Sequence, residues 1–247
     1  MNDEELLAQG VGPLALAVLP QAADTDDDDV AAMWCGKLAQ AGMLEAAAGH
    51  FRDAAASGDL TAVKCMVWLG REAGRTADAR QWLERGAQAG DAWSQFELAL
   101  SLTEPHEQEA AEHWYRHAAE AGHALAMSNL GVHLKRAGRD DEALHWYRRA
   151  AEAGSGTGMN NLAVQLMIAE HDAEAEHWFR AAAREGNTDG TANLGRLLFE
   201  SGRPDEGESF LAAAAEQGHG GAAGMLVEHL ERTGRPDQAA AWRARFA

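Results

Sequence analysis

Glycine recurs every 32 residues along this chain, at Gly58, Gly90, Gly122, Gly154, Gly186 and Gly218. Each ends an alanine-rich stretch such as AASGD, AQAGD or AEAGS. Eight residues later stands Leu98, Leu130, Leu162, Leu194 or Leu226, with Met66 in the earliest case. Twelve residues later stands Leu102, Leu134, Leu166, Leu198 or Leu230. Twenty-four later comes Trp82, Trp114, Trp146, Trp178, Phe210 or Trp242. The register reaches back through Met33, Trp34, Leu38, Gly42 and Ala54. A fixed period of this length is the mark of stacked supersecondary units. It divides the chain into units 26–57, 58–89, 90–121, 122–153, 154–185, 186–217 and 218–247.

Each unit reads as two helices. Met127, Leu130, Gly131 and Leu134 share one face of the first. A break such as AGRDD follows, where Gly138 and Gly202 suit a left-handed C-cap and Pro204 and Pro236 suit a first helical turn. Ala143, Trp146, Tyr147, Ala150 and Ala151 then line one face of the second helix. Asp141 and Glu142 open that helix and Arg148 and Arg149 close it, matching its macrodipole. Glu112–Arg116 and Glu176–Arg180 have i,i+4 spacing. Only five prolines and few β-branched residues argue against a sandwich or barrel. A lone helix pair cannot bury its apolar face, so the units must stack into an all-α solenoid. Arg243 stands where earlier units have Tyr115, Tyr147, Phe179 and Leu211, as suits a terminal unit that faces water.

Charge narrows the function classes. Acids outnumber bases 39 to 21, a formal net charge of −18. A phosphate-binding surface must be basic, so nucleic acid is not the expected partner. Eight acids, Asp3, Glu4, Glu5, Asp24 and Asp26 to Asp29, precede the first base, Lys37. Residues 1–25 therefore read as an acidic N-terminal capping segment ahead of a 26–247 solenoid. The start lacks a positive n-region, and no apolar run approaches the ~18 residues that a membrane span needs. We therefore expect a cytoplasmic chain without membrane insertion, with Cys35 and Cys65 reduced. Alanine load and an arginine-dominated base content suggest a GC-rich bacterial gene.

The segment AEAGHALAMSNLGVHLKRAGRDDEALHWYRRAAEAG (119–154) resembles Sel1-like repeats, relatives of tetratricopeptide repeats. The matching residues are Ala126, Leu130, Gly131, Gly138, Ala143, Trp146, Tyr147, Ala150, Ala151 and Gly154, and they recur with losses over 26–247. The resemblance implies a right-handed α-α superhelix of about seven two-helix repeats. It also implies a non-catalytic scaffold or adaptor that holds other proteins on a concave face formed by the first helices. Three departures stand out. The unit is short for the family. No cysteine pair bridges each repeat, as it does in secreted members. Units three and five replace the mid-repeat glycine by Pro105-His106 and Ala169-Glu170.

No motif for chemistry is complete. His113, His145 and His177 each precede a tryptophan, and a helix diameter between equivalent positions is too far for one shared ion. His113 and His117 form at most a half-site, which leaves a metal-dependent enzyme as the minor alternative. HExxH, GxSxG and zinc clusters are absent, so neither a resident metal nor a cofactor is expected. Gly154-Ser155-Gly156-Thr157-Gly158 and Gly218-His219-Gly220-Gly221 precede helices without a P-loop lysine, and read as tight turns. Asp24 to Asp29 lacks the central glycine and distal glutamate of an EF-hand loop.

By the same resemblance, positions 3, 6, 10, 13 and 14 past the repeat glycine line the inner face. They supply Lys64, Trp68 and Arg71, then Trp93, Phe96 and Leu100, then Leu125, Val132, Lys135 and Arg136. Asn160, Val164, Met167 and Ile168 follow, then Arg196 and Phe199. So apolar a face marks a groove for a partner helix or extended peptide. The alternative is that curvature buries several of these residues between neighbouring first helices. The tetratricopeptide carboxylate clamp is not matched, since Trp68, Leu100, Val132 and Val164 occupy its asparagine position. Two further readings are an accessory subunit of an enzyme complex, and self-association through Phe246 or the Leu14–Leu19 segment.

Overall fold

A computed structural model describes residues 3–102 and 104–246, with side chains described from residue 12 onward except at position 105. The side chains of Asp3, Glu4 and Glu5 in the acidic segment, and Ala247 at the end of the last unit, lie outside the described residues. The chain forms two compact units, Met1–His123 and Ala124–Ala247.

The N-terminal unit contains α1 (Asp3–Thr25), α2 (Asp28–Gln40), α3 (Leu44–Ala56), α4 (Leu60–Glu72), α5 (Thr76–Gln88) and α6 (Ala92–Ser101). A 3-10 turn, Pro105–Glu107, leads into α7 (Gln108–Glu120). The C-terminal unit contains α8 (Ala124–Arg136), α9 (Asp140–Glu152), α10 (Gly156–Ile168), α11 (Asp172–Arg184), α12 (Thr188–Glu200), α13 (Pro204–Glu216), α14 (Gly220–Arg232) and α15 (Pro236–Phe246). Even-numbered helices are therefore the first, and odd-numbered ones from α3 the second, of each pair. The architecture is all-α, a solenoid of helical repeats. Residues 3–25 are a helix running through Pro13 and Pro20, packed on α2 and α4 through Ala15, Leu19, Ala22 and Ala23.

A two-residue junction explains the 32-residue beat. The repeat glycine takes a left-handed φ, as at Gly90 (+89°) and Gly154 (+87°), which no side chain opposes. The next amide reaches back to a carbonyl near the helix end, as in Asp91 N–H to Gly86 and Ser155 N–H to Ala150. That same residue then caps the following helix: Asp59, Asp91, Ser155 and Asn187 accept from the backbone amide three residues on. In the first repeat Asp26 takes the glycine's place at φ +53°, and Asp27 is the capping residue of α2.

Departures from the repeat have local costs. At the missing mid-repeat glycine of unit five, Glu170 itself adopts φ +60°. In unit three α6 stops early, and Pro105–Glu107 fills the gap. The core is the predicted leucine ladder, with Leu98, Leu130, Leu134, Leu162, Leu194 and Leu198 fully buried. Arg243 is exposed and pairs with Glu231 at 2.6 Å.

Candidate partner-binding face

A surface stripe on a helix advances by 3.6 residues per turn. From position 3 past the repeat glycine, the stripe that faces away from the second helices therefore continues at positions 7, 10 and 14. In the C-terminal unit these are Leu125, Asn129, Val132 and Arg136 on α8, and Thr157, Asn161, Val164 and Ile168 on α10. On α12 they are Asp189, Asn193, Arg196 and Glu200. All are exposed or half-buried. Leu125 is 50% and Ile168 67% exposed. Lys135, Met167 and Phe199, one residue before the end of the stripe, flank it half-buried.

Position 6 behaves differently from the sequence expectation. Phe96 and Asn160 are interior, as is Lys64, because one residue back from position 7 turns the side chain by about 100° toward the neighbouring helix. The asparagines at position 7, Asn129, Asn161 and Asn193, are the face residues that sequence reasoning missed. Their recurrence in three successive units was the available signal. Asn193 Nδ2 donates to Asn160 Oδ1 at 2.9 Å, and Arg196 reaches Asn193 Oδ1 at 3.4 Å. Beside them a cavity of about 280 Å³ is lined by Phe199, Met225 and His229 together with two arginines, Arg196 and Arg232, and two glutamates, Glu200 and Glu228. His229 is buried with Nδ1 unpaired among the described residues, its ring 4.5 Å from that of Phe199.

In the N-terminal unit the part of the same stripe around Trp68 and Trp93 is covered by the chain itself. Trp68 and Trp93, expected as groove anchors, are interior residues with rings edge to face at 5.5 Å. The acidic turn between α1 and α2 lies against them. Trp68 Nε1 donates to Asp28 Oδ1 at 2.7 Å, and Trp93 Nε1 to Asp28 Oδ2 at 3.5 Å. The Lys64 ammonium bonds Asp26 Oδ1 at 2.5 Å and the Ala23 carbonyl at 3.2 Å, with Asp91 at 3.5 Å. Thr61 donates to Asp24 at 2.9 Å. Asp24, Asp26 and Asp28 therefore each have a specific partner. His123 stacks on Phe96 at 4.5 Å, and burial holds its imidazole below the usual pKa against the opposing pull of Asp26 and Asp91. Of the predicted groove residues here, Leu100, at 41%, and Arg71 are exposed. Arg71 pairs with Glu97.

The remaining candidates resolve simply. Cys35 and Cys65 are buried free thiols, pushed up to about 12 chiefly by burial. His113 and His117 contact ring to ring at 4.5 Å, and no group of three metal-ligating side chains occurs among the described residues. Ser155 in the glycine-rich turn accepts from Gly158 N–H and bonds Ser128 at 2.9 Å. Leu14 is exposed while Leu19 is buried, and Phe246 stacks on Trp242. No described helix is long and apolar enough to cross a membrane.

No family model matches the sequence, and no curated protein matches it. Solved structures do. A protective antigen of uropathogenic Escherichia coli with an SLR fold aligns over 92% of this chain at 25% identity and a TM-score of 0.67. This chain spans 59% of that antigen's length. A Sel1 repeat protein from Oxalobacter formigenes aligns over 87% of this chain and 98% of its own, at 22% identity and a TM-score of 0.68. The chain has the fold of Sel1-like and tetratricopeptide-like repeat proteins. PilF of Pseudomonas aeruginosa shares the fold at 17% identity, over 80% of this chain and 91% of its own, with a TM-score of 0.59. The likeness is one of fold, and a fold leaves function open to the side chains placed on it.

Proposed function

We propose that this protein is an interaction scaffold whose C-terminal unit holds an extended segment of a partner protein on the face of α8, α10 and α12. The uncovered stripe through Leu125, Val132, Val164 and Ile168 carries the proposal, because nothing in the described chain packs on it. Asn129, Asn161 and Asn193 run along the same stripe. A primary amide offers one acceptor and two donors, matching the N–H and C=O of a peptide backbone. Packed helices stand ~8–10 Å apart and an extended chain advances ~3.3 Å per residue, so one asparagine meets the segment about every third residue. Arg136 and Arg232 have no carboxylate partner among the described residues and favour a segment that carries acidic side chains.

The test is a peptide-display selection against the full chain, repeated with the double variant Val164→Glu, Ile168→Glu. We expect wild type to enrich peptides with apolar and acidic residues, and the variant to lose them while its circular dichroism stays helical. Equal enrichment by a folded variant would overturn the proposal.

A further inference from the structure

A second feature lies on the other side of the N-terminal unit, among the second helices, and does not depend on the proposed groove. Successive repeats are joined by an ion pair. It links the residue 22 past the repeat glycine to the residue 17 past the next one. In the C-terminal unit the pairs are Glu176–Arg203 at 2.7 Å and Glu208–Arg235 at 2.7 Å. In the N-terminal unit the signs are exchanged, as Arg80–Glu107 at 2.9 Å. Leu144 and His171 replace the charges by neutral residues. At the first repeat the carboxylate is missing while the cation remains: Ala48 stands where Glu176 and Glu208 would, and Arg75 where Arg203 and Arg235 would.

Two more side chains are pared away at the same place. Ala56 stands where the next five repeats have Gln88, Glu120, Glu152, Arg184 and Glu216. Gly70 stands where the repeat leucine, such as Leu102 or Leu134, otherwise lies. The three substitutions line one cavity of about 320 Å³, floored by Met66 and walled by Trp82. Arg52, Arg75 and Arg85 converge on it. Glu45, an exposed residue, reaches Arg52 at 2.9 Å and Arg75 at 2.5 Å. Arg85 lies over the Trp82 ring at 4.7 Å and has no carboxylate partner among the described residues. With Asp78 also in the lining, three guanidiniums face two carboxylates, one of them borrowed from the rim.

We propose that this cavity is a binding site for a carboxylate attached to an apolar or aromatic body, which supplies the anion that Ala48 omits. Arg75 and Arg85 take the carboxylate in the fork geometry that guanidinium favours. Met66 and the Trp82 ring take the body. The carboxylate can come from a free aryl acid or from a glutamate beside an aromatic residue in a partner chain, and the probes separate the two.

The experiment titrates the full chain by calorimetry with 3-phenylpropionate, with acetyl-Ala-Phe-Glu-Ala-amide and with the glutamine form of that peptide. We expect saturable binding of 3-phenylpropionate, of the glutamate peptide, or of both, and none of the glutamine peptide. Binding of only one carboxylate probe identifies the source. Ala48→Glu should abolish binding and raise the urea midpoint by restoring the inter-repeat pair. Arg75→Gln should weaken binding by about tenfold, the loss of one charge-assisted hydrogen bond. Ala56→Gln, which restores the uncharged bulk found at Gln88, blocks the cavity without adding charge and decides the matter if Ala48→Glu misfolds. No carboxylate binding, equal binding of the glutamine peptide, or undiminished binding by a folded Ala48→Glu or Ala56→Gln would overturn the proposal.

Discussion

Trp68 and Val164 occupy the same position of the repeat, ten residues past its glycine, and meet opposite fates. Trp68 is 6% exposed under the chain's own acidic turn, whereas Val164 is left half-open. Trp93 and Leu125 make the same contrast at position 3. The repeat decides which way a side chain points. What covers it is decided where the repeat begins, here by the end of α1 and the aspartates that open the first unit. The N-terminal face is thus filled from within around Trp68 and Trp93, with indole N–H groups and an ammonium on carboxylates. The C-terminal face carries apolar side chains and amides without a cover.

The largest test of that contrast is truncation at equivalent positions. Trp68→Ala should lower the unfolding free energy by about 3–5 kcal/mol, as for a packed aromatic. Ile168→Ala should change it by no more than about 0.5 kcal/mol. Urea unfolding of both variants measures the difference, and equal costs would mean that the acidic turn does not cover the tryptophans. A smaller effect follows from the turn itself. Asp28→Ala leaves two indole N–H groups without their acceptor and should cost about 1–2 kcal/mol. The indole proton resonances of Trp68 and Trp93 should both move, and those of Trp146 and Trp178 should not.

His123 gives the N-terminal unit a pH-dependent contact on Phe96, at a position that Ser155, Asn187 and His219 take in the other unit. Burial lowers its pKa in the folded chain, so the unfolded chain takes up the proton first. The stability held by the neutral ring is complete above the ordinary imidazole pKa, and it falls as the pH drops toward the lowered value. Urea midpoints at about pH 8 and about pH 5.5 bracket the unperturbed imidazole. His123→Gln should narrow the gap between them.

Much of this was legible in the sequence. The 32-residue beat marked helix pairs, the leucine ladder of the core and the water-facing Arg243, because local capping and period-3.6 burial set all three. The face was only partly legible. Assigning it position 6 instead of 7 exchanged Phe96 and Asn160 for the asparagines, an error of a single helical step. The covering of Trp68 and Trp93 could not be read from periodicity. It depends on Lys64 meeting Asp26 across 38 residues of chain, and an acidic run before the first base looks the same whether solvated or bound.

The smallest predicted effect separates backbone from side chain at Glu170 and Asp26, the non-glycine residues with left-handed φ among those described. Glu170 sits at φ +60° and exposed, where its side chain contributes no described ion pair. Glu170→Gly should therefore stabilise the C-terminal unit by about 0.5–1 kcal/mol, from relief of left-handed strain less the added freedom of the unfolded chain. Asp26 has nearly the same φ, +53°, and Asp26→Gly gains the same relief. It also strips the buried Lys64 ammonium of its 2.5 Å partner, leaving Asp91 at 3.5 Å and one carbonyl. Removing one partner of a buried charge costs more than left-handed strain returns. Asp26→Gly should therefore destabilise where Glu170→Gly stabilises, although both place glycine at the helix-ending position that the repeat ordinarily gives it. Urea midpoints of the two variants moving in the same direction would show that Asp26 serves only the backbone and that the acidic turn is not held by Lys64.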